Sequence, residues 1–452
     1  MPTTLACNAH QRPIGQGGFY SATLQIRNRD VYTFVYDCGS LTDATRLSDE
    51  IAEFSRELRH RPLDLLVLSH LDADHVNGVD ELLRTTHGVK DVFLPYLSPL
   101  ERAIYVARYP NQPESYYNLL ADPVATLRGL GAENVYLVGE SNGDGDGDQF
   151  GQNDPGPDFL KRLNDLPALK LETDRLVAEK RIDAAHAAES GQAAPAPAKG
   201  ISDAGAMTIS GLWRLRMFQK QGLRAAIEKV VAAGNYGVVP ATGESNDERR
   251  CREFLGEIEA ALGGQPVTNQ SILQTLRTEK GRKALRTAYQ KVSSVHNEVS
   301  LCLWHGPAFT ASPSRVFHAH ASGATAMATI LGACWRRCHS WFHREGEVGC
   351  LLTGDIALKG VTLTKFKKHY AWELPSTWLL QIPHHGSRYN VELDGDLFDD
   401  GHRLGFTSAG LRNSYLHPHL DVIECLHYGF DFDVLWSHER RGVGFFIEVT
   451  FS

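Results

Sequence analysis

The stretch Leu66–Gly78, LVLSHLDADHVNG, places His70, Asp72, Asp74 and His75 in quick succession behind an apolar run. Side chains of metal-ligating type packed that closely either repel one another or hold something positive. The run LDLLVLSH reads as a short strand buried on both faces. A strand ending at Ser69 or His70 delivers the following residues to the C-terminal edge of its sheet, where α/β proteins place their ligands. His70 and Asp72 are two apart, so in extended chain they point the same way. Asp74 and His75 sit just before a helix, on a turn that can aim them back. Two cations a few ångströms apart could each take two of the four. The plainer alternative is a polar loop in which Asp74 caps the next helix.

Working outward, FYSATLQIRN and VYTFVYDCG read as two strands over residues 19–37, with a turn at Asn28–Asp30. A helix is expected near 48–60, another over GVDELLRTTHG, and a strand at VKDVFLPY. This alternation argues for α/β layers. From about 141 the signals weaken. SNGDGDGDQFGQNDPGPD is a loop by composition; Asp144, Asp146 and Asp148 mimic a calcium loop, but Gln149 and Pro155 occupy positions that need Gly and Glu. GQAAPAPAKG, 191–200, is linker-like. The expected organisation is therefore a core in two halves, 1–140 and 292–452. Between them lie a loop-rich insertion at 141–206, a core strand at 207–219 and a helical insertion at 220–291.

The chain has 452 residues and a formal net charge of −8. Coating a long duplex by phosphate neutralisation usually takes a basic protein. Bound divalent ions and local basic patches can supply that attraction, so a nuclease is not excluded. Eight cysteines in a chain of this length make no disulfide framework. No apolar run reaches membrane-spanning length and the N-terminus lacks a signal pattern, so a soluble, cytoplasmic protein without a membrane partner is expected.

Two distant segments repeat the pattern of a buried strand ending in ligand chemistry. LLTGD, 351–355, ends in Asp355; LLQIPHHGS, 379–387, ends in His384, His385 and Ser387. HxDxDH, then TGD, then HHGS, in that order, resembles the metallo-β-lactamase superfamily, and most nearly the soluble hydrolase domain of ComEC-type competence proteins. YDCGS, with Asp37, and LRNSYLHPH, 411–419, extend the likeness. The resemblance implies an αββα sandwich, within the α/β class, carrying a dinuclear metal centre of Zn²⁺ or Mn²⁺ at one edge.

Carried over residue by residue, it implies His70 and Asp72 on one ion, Asp74 and His75 on the other, and Asp355 bridging. His384 or His385 completes the second position, and the choice stays open. His296, four residues before Ser300, is the candidate for a further ligand, with Asn297 beside it. Asp72 stands where many members have histidine. A hard oxygen in place of imidazole shifts preference from zinc toward manganese or magnesium. Such a centre suits hydrolysis of phosphodiesters, phosphoesters or lactones, with Asp74 or Asp355 orienting the nucleophile or taking its proton. His417, Arg412, Asn413 and Ser387 are candidates for binding phosphate, and His419 for protonating the leaving group.

Two other motifs have plainer readings. Cys334, Cys338, His339 and His343 could form an accessory zinc site, although the spacing equally suits one packed helix face. The basic run RTEKGRKALRTAYQK, 277–291, reads as a solvated helix face, or alternatively as a clamp on a nucleic-acid backbone.

Three functions follow from these residues. The first is a metal-dependent nuclease or phosphodiesterase, with DNA favoured. The second is a hydrolase of a small molecule such as a cyclic nucleotide or lactone. The third is a binding or regulatory protein on the same fold.

Overall fold

The computed structural model describes residues 3–26, 30–59, 61–140, 168–190, 198–220, 222–233, 236, 243–264, 267–292, 299–308, 314–321, 342–344, 348–390 and 402–451. In chain order the strands are β1 (Thr3–Gln11), β2 (Tyr20–Ile26), β3 (Asp30–Tyr36), β4 (Leu63–Val67), β5 (Val89–Pro95), β6 (Ala132–Gly139), β7 (Leu171–Glu172), β8 (Lys199–Ser202), β9 (Ala206–Ile209), β10 (Trp213–Lys220), β11 (Ser300–Pro307), β12 (Ser314–Ala321), β13 (Phe342–Arg344), β14 (Gly349–Leu352), β15 (Thr377–Gln381), β16 (Arg403–Ser408), β17 (Phe432–Ser437) and β18 (Gly442–Phe451). Among the described residues they form two sheets. One has ten strands, in the order β13-β12-β18-β1-β2-β3-β4-β5-β6-β8; the other has eight, β17-β16-β15-β14-β11-β10-β9-β7.

Each sheet contains a parallel block, β3 to β6 in the first and β14 to β17 in the second. β4 shows why its sequence is apolar throughout. Leu65 and Val67 face the other sheet, where they join Phe34, Leu215, Leu303, Leu352 and Leu379. Leu66 faces outward onto helices, with Ile51, Phe54 and Leu82. On the far side, Leu351 and Leu380 pack under Leu363 and Phe366 of the helix Gly360–His369. Helices, sheet, sheet and helices make the four layers that the resemblance implies. Each Leu or Val so buried contributes roughly 1.5–3 kcal/mol.

Polar ties cross between the sheets. Tyr36 Oη donates to the Leu301 carbonyl at 2.8 Å. Trp213 Nε1 donates to His305 Nδ1 at 3.3 Å, so the His305 proton sits on Nε2 and faces Tyr20 Oη at 2.9 Å. Burial pushes the His305 pKa down to about 3, so this imidazole is neutral.

The elements differ from the sequence expectation in instructive places. MTISGLWRLRMF is two strands rather than one: Ser210 and Gly211 take positive φ and fold β9 back on β10. The apolar stretch DVLWSHERRGVGFFIEV near the C-terminus makes two strands, because the turn at His438–Arg441 sends β17 to one sheet and β18 to the other. The helix expected near 48–60 spans Ala44–Glu57, because Asp43 accepts from Arg46 N and caps it earlier. Inside the segment read as loop and linker, β8 pairs with β6 and a helix spans Lys180–Ser190. The β8 sequence KGIS is too short to show a period of two. Residues 27–29, the acidic stretch 141–167 and residues 191–197 lie outside the described residues.

The helices Arg224–Ala233, Asn246–Ala261, Asn269–Leu276 and Glu279–Lys291 fill most of 220–291. Ile227, Phe254, Leu255, Leu276 and Leu285 enter the same outer core as the helix Pro99–Arg108. These helices thus thicken the layer over the first sheet, on the side where Arg108 reaches the site. No helix among the described residues is long and apolar enough to cross a membrane.

Candidate metal centre

Five chain segments meet at the C-terminal edge of the parallel blocks. β3 delivers Asp37, β4 delivers Ser69 to His75, β14 delivers Asp355, β15 delivers His384 to Ser387, and β16 leads to Ser408 and the loop 409–419. Asp72 is the residue preceding the short helix Ala73–Val76, so Asp74 and His75 lie in its first turn and Asp74 is not its cap.

Asp355 is the hub. Its Oδ2 lies 3.7 Å from His70 Nε2 and 3.6 Å from His384 Nε2. Its Oδ1 lies 3.4 Å from His75 Nε2 and 3.6 Å from His385 Nε2. Asp74 Oδ2 is 3.4 Å from His385 Nε2. These separations are too long for good hydrogen bonds. They match the spacing of about 3.3–3.6 Å between neighbouring ligands bonded at about 2.0–2.2 Å to a tetrahedral cation. Among the described residues two groups emerge with ligand atoms mutually within 4.8 Å: His70, His75 and Asp355, and Asp74, His75 and His385.

The outward nitrogens of three histidines are fixed by partners behind them. His75 Nδ1 donates to Asp37 Oδ2 at 2.8 Å, and His385 Nδ1 to the Ser408 carbonyl at 2.7 Å. Ser69 Oγ gives its own proton to Asp37 Oδ2 at 2.6 Å, so at 2.8 Å it accepts from His70 Nδ1. Each Nε2 therefore presents a lone pair to the centre, as a metal-ligating histidine requires.

The atoms aimed inward have no other use. His70 Nε2, Asp72 Oδ1, Asp74 Oδ1, His75 Nε2, Asp355 Oδ1 and His385 Nε2 are buried without a hydrogen-bond partner. Leaving one such atom unsatisfied costs about 1–3 kcal/mol. A cluster of six at one point fits a bound cation, and the donor set suits a divalent ion.

The electrostatics agree. Burial disfavours the charged forms, yet Asp355, Asp37 and Asp74 outweigh it and hold His75 well above the ordinary imidazole range. Asp355 and Asp74 raise His385 in the same way against burial. Against its own burial, Asp74 is pulled down to about 2 by His75 and His385. Without a cation, protons must balance this charge. Asp72 behaves differently: burial pushes it up to about 6, against the pull of Arg108.

Asp72 Oδ2 accepts from Arg108 Nη1 at 3.0 Å and from Tyr109 Oη at 2.9 Å, while its Oδ1 stays free. His384 is less constrained than His385. Its side chain is 30% exposed and its Nδ1 has no partner. In the loop beyond β16, Asn413 spends its amide on the loop itself, donating to the Gly410 and His417 carbonyls and accepting from His417 N. His419 Nδ1 accepts from Arg388 N at 3.3 Å, which leaves its proton on Nε2. The His417 ring is buried 5.8 Å from that of His384, and its Nδ1 is unpartnered. Ser387 is buried beside them and Arg412 is exposed. His296 and Asn297 lie outside the described residues, as do Cys334, Cys338 and His339.

Two cations of the basic run have carboxylate partners. Arg282 pairs with Glu114 at 2.9 Å and lies over the Tyr117 ring, and Lys291 pairs with Glu257 at 2.6 Å. These contacts brace the helix layer.

Sequence reading missed Ser69, Arg108, Tyr109, Ser408 and Gly18. A Cβ on Gly18 would stand 2.8 Å from both Asp37 Cβ and His75 Nδ1, so only glycine lets the β2 approach lie against the site. The GQGG run was the visible signal for it; the others carry none, because they act from elements distant in sequence.

Residues 17–145 match the model of the metallo-beta-lactamase superfamily, a span holding Asp37, His70, Asp72, Asp74 and His75. Among solved structures the chain is similar to a long form RNase Z from yeast, at 10% identity and a TM-score of 0.27. The alignment covers 96% of this chain and 36% of that one, so this chain spans about a third of its length. That likeness is too low to bear on function. No curated protein matches the chain.

Proposed function

We propose that this chain, which carries a metallo-β-lactamase superfamily domain, is a metal-dependent hydrolase of phosphodiester bonds, with nucleic acid, DNA foremost, as substrate. One observation carries the reading: buried, unpartnered ligand atoms from three strand ends converge around Asp355. The order of the motifs, which resembles ComEC-type hydrolase domains, supports the substrate class.

In this reading His70, Asp72 and Asp355 would hold one divalent ion, and Asp74, His75, His385 and Asp355 the other. Zn²⁺ or Mn²⁺ bound there would lower the pKa of water and absorb negative charge. The protein supplies the rest. Asp355 and Asp74 face the space where a nucleophile must sit and can accept its proton. His419, with its proton on Nε2, donates to the leaving oxygen. His384, His417, Ser387 and Arg412 line the approach to a phosphoryl group. Asn413 shapes that loop from behind.

The purified chain, loaded with Mn²⁺ or Zn²⁺, is offered plasmid, single-stranded oligonucleotide and bis-p-nitrophenyl phosphate. Nucleic-acid cleavage that stops with chelator and returns with metal is expected. Turnover of the chromogenic ester alone would move the assignment to a small-molecule hydrolase. Bound metal without any turnover would move it to a binding protein.

A further inference from the structure

Large apolar side chains are normally exposed one at a time. Here they gather. Tyr389, Leu411, Tyr415, Leu416 and Leu420 are all exposed within one stretch around the histidine loop. Tyr415 is 61% exposed and Tyr389 73%, far more than packing would leave.

Their rings are ordered relative to the metal centre. Tyr415 lies parallel to His417, with centroids 5.7 Å apart and planes at 25°. His417 in turn lies parallel to His385, at 6.4 Å and 24°. A ladder of faces thus runs from the candidate ligand His385 outward to an open tyrosine. A second branch runs from His417 to His419, at 5.0 Å, and on to Tyr389, whose ring meets His419 edge-on at 6.2 Å.

We propose that Tyr415 and Tyr389 form a stacking platform for splayed bases of a single-stranded nucleic acid. The inference rests on the reading of the centre as a phosphodiester hydrolase. Aromatic faces take up unstacked bases irrespective of their identity, whereas a duplex hides its base faces in its own stack. Charge on the same loop complements the rings: Arg412 is exposed three residues before Tyr415, a cation for the backbone phosphates of a bound strand.

The test uses the full-length chain and short fluorescent strands, with and without bases. In chelator, fluorescence anisotropy gives affinity without cleavage. Tyr415→Ala and Tyr389→Ala are each expected to weaken binding of the base-bearing strand about tenfold, and Tyr415→Phe to preserve it. The abasic strand should bind wild type about a hundredfold more weakly, as the base-bearing strand should bind the double alanine variant, since both stacks are lost. With Mn²⁺, KM for the base-bearing strand should rise about tenfold with kcat unchanged, and cleavage of the abasic strand should not change. Equal affinity for the two strands, or full affinity in Tyr415→Ala, overturns the platform. So does a wild-type dimer that Tyr415→Ala converts to monomer, since the patch would then be a contact between copies. A chain that binds in the expected pattern yet cleaves no phosphodiester keeps the platform and loses the hydrolase reading.

Discussion

Asp37 Oδ2 accepts the Nδ1 proton of His75 at 2.8 Å, and the same carboxylate holds Ser69 through both its backbone N–H and its hydroxyl. One buried aspartate from β3 thereby orients His75 directly and His70 through Ser69. Turning Nε2 away from the centre would break a charge-assisted hydrogen bond to Asp37 for His75 and the hydrogen bond to Ser69 Oγ for His70.

Asp37→Asn places an amide where the carboxylate met its donors. Metal affinity should fall about 10–100-fold, the usual effect of losing such a partner. Titration of the metal-free protein with Mn²⁺ or Zn²⁺ reads this directly, with circular dichroism to show that the fold persists. Unchanged affinity would mean that Asp37 serves the loop and not the ligands.

In the proposed centre Asp72 offers a carboxylate oxygen where an imidazole would favour zinc. Wild type should be more active with Mn²⁺ than with Zn²⁺. Asp72→His should raise the zinc-to-manganese activity ratio by roughly tenfold, on the scale by which ligand-shell changes move metal affinity. A clear zinc optimum in wild type would remove the premise.

Gly386 has φ +83°, and a Cβ there would come within 2.7 Å of Pro418 Cβ. Gly386→Ala should cost about 1–2 kcal/mol for the left-handed backbone alone and displace the His417–His419 loop. The expected result is a lower melting temperature and lower kcat with full metal content. Retained kcat would detach that loop from catalysis.

His305 is neutral in the core, its pKa depressed to about 3 by burial, against an ordinary value of 6.5. The unfolded chain takes up a proton below 6.5 and the folded chain does not, so this group's contribution is intact above pH 6.5. It is lost as pH falls toward 3, by up to about 1.4 kcal/mol per pH unit. Urea unfolding at pH 7 and pH 5 should show a steeper decline for wild type than for His305→Gln. Parallel declines would place the acid sensitivity elsewhere.

Much of the centre was legible because strand-end chemistry is local. An apolar run sized for burial on both faces, followed at once by His70 to His75, by Asp355 or by His384 and His385, declares both the strand and the side chains at its tip. The four-layer arrangement followed from three such strands and the family likeness of their order. Strand boundaries at Ser210–Gly211 and at His438–Arg441 were less clear, because a turn of two to four residues within a mixed apolar stretch leaves the alternation nearly intact. β8 was hidden for the opposite reason, being too short to alternate.

By itself, then, the sequence determined which side chains could serve as ligands and that they sit at the ends of buried strands, since residue type and period of two are properties of neighbouring positions. Tertiary structure decided how they are aimed. It set Asp37 behind His75, Ser408 behind His385 and Arg108 behind Asp72, and it separated the fixed His385 from the freer His384. Hydrogen bonds between segments tens to hundreds of residues apart depend on how two sheets stack, and no local pattern records that.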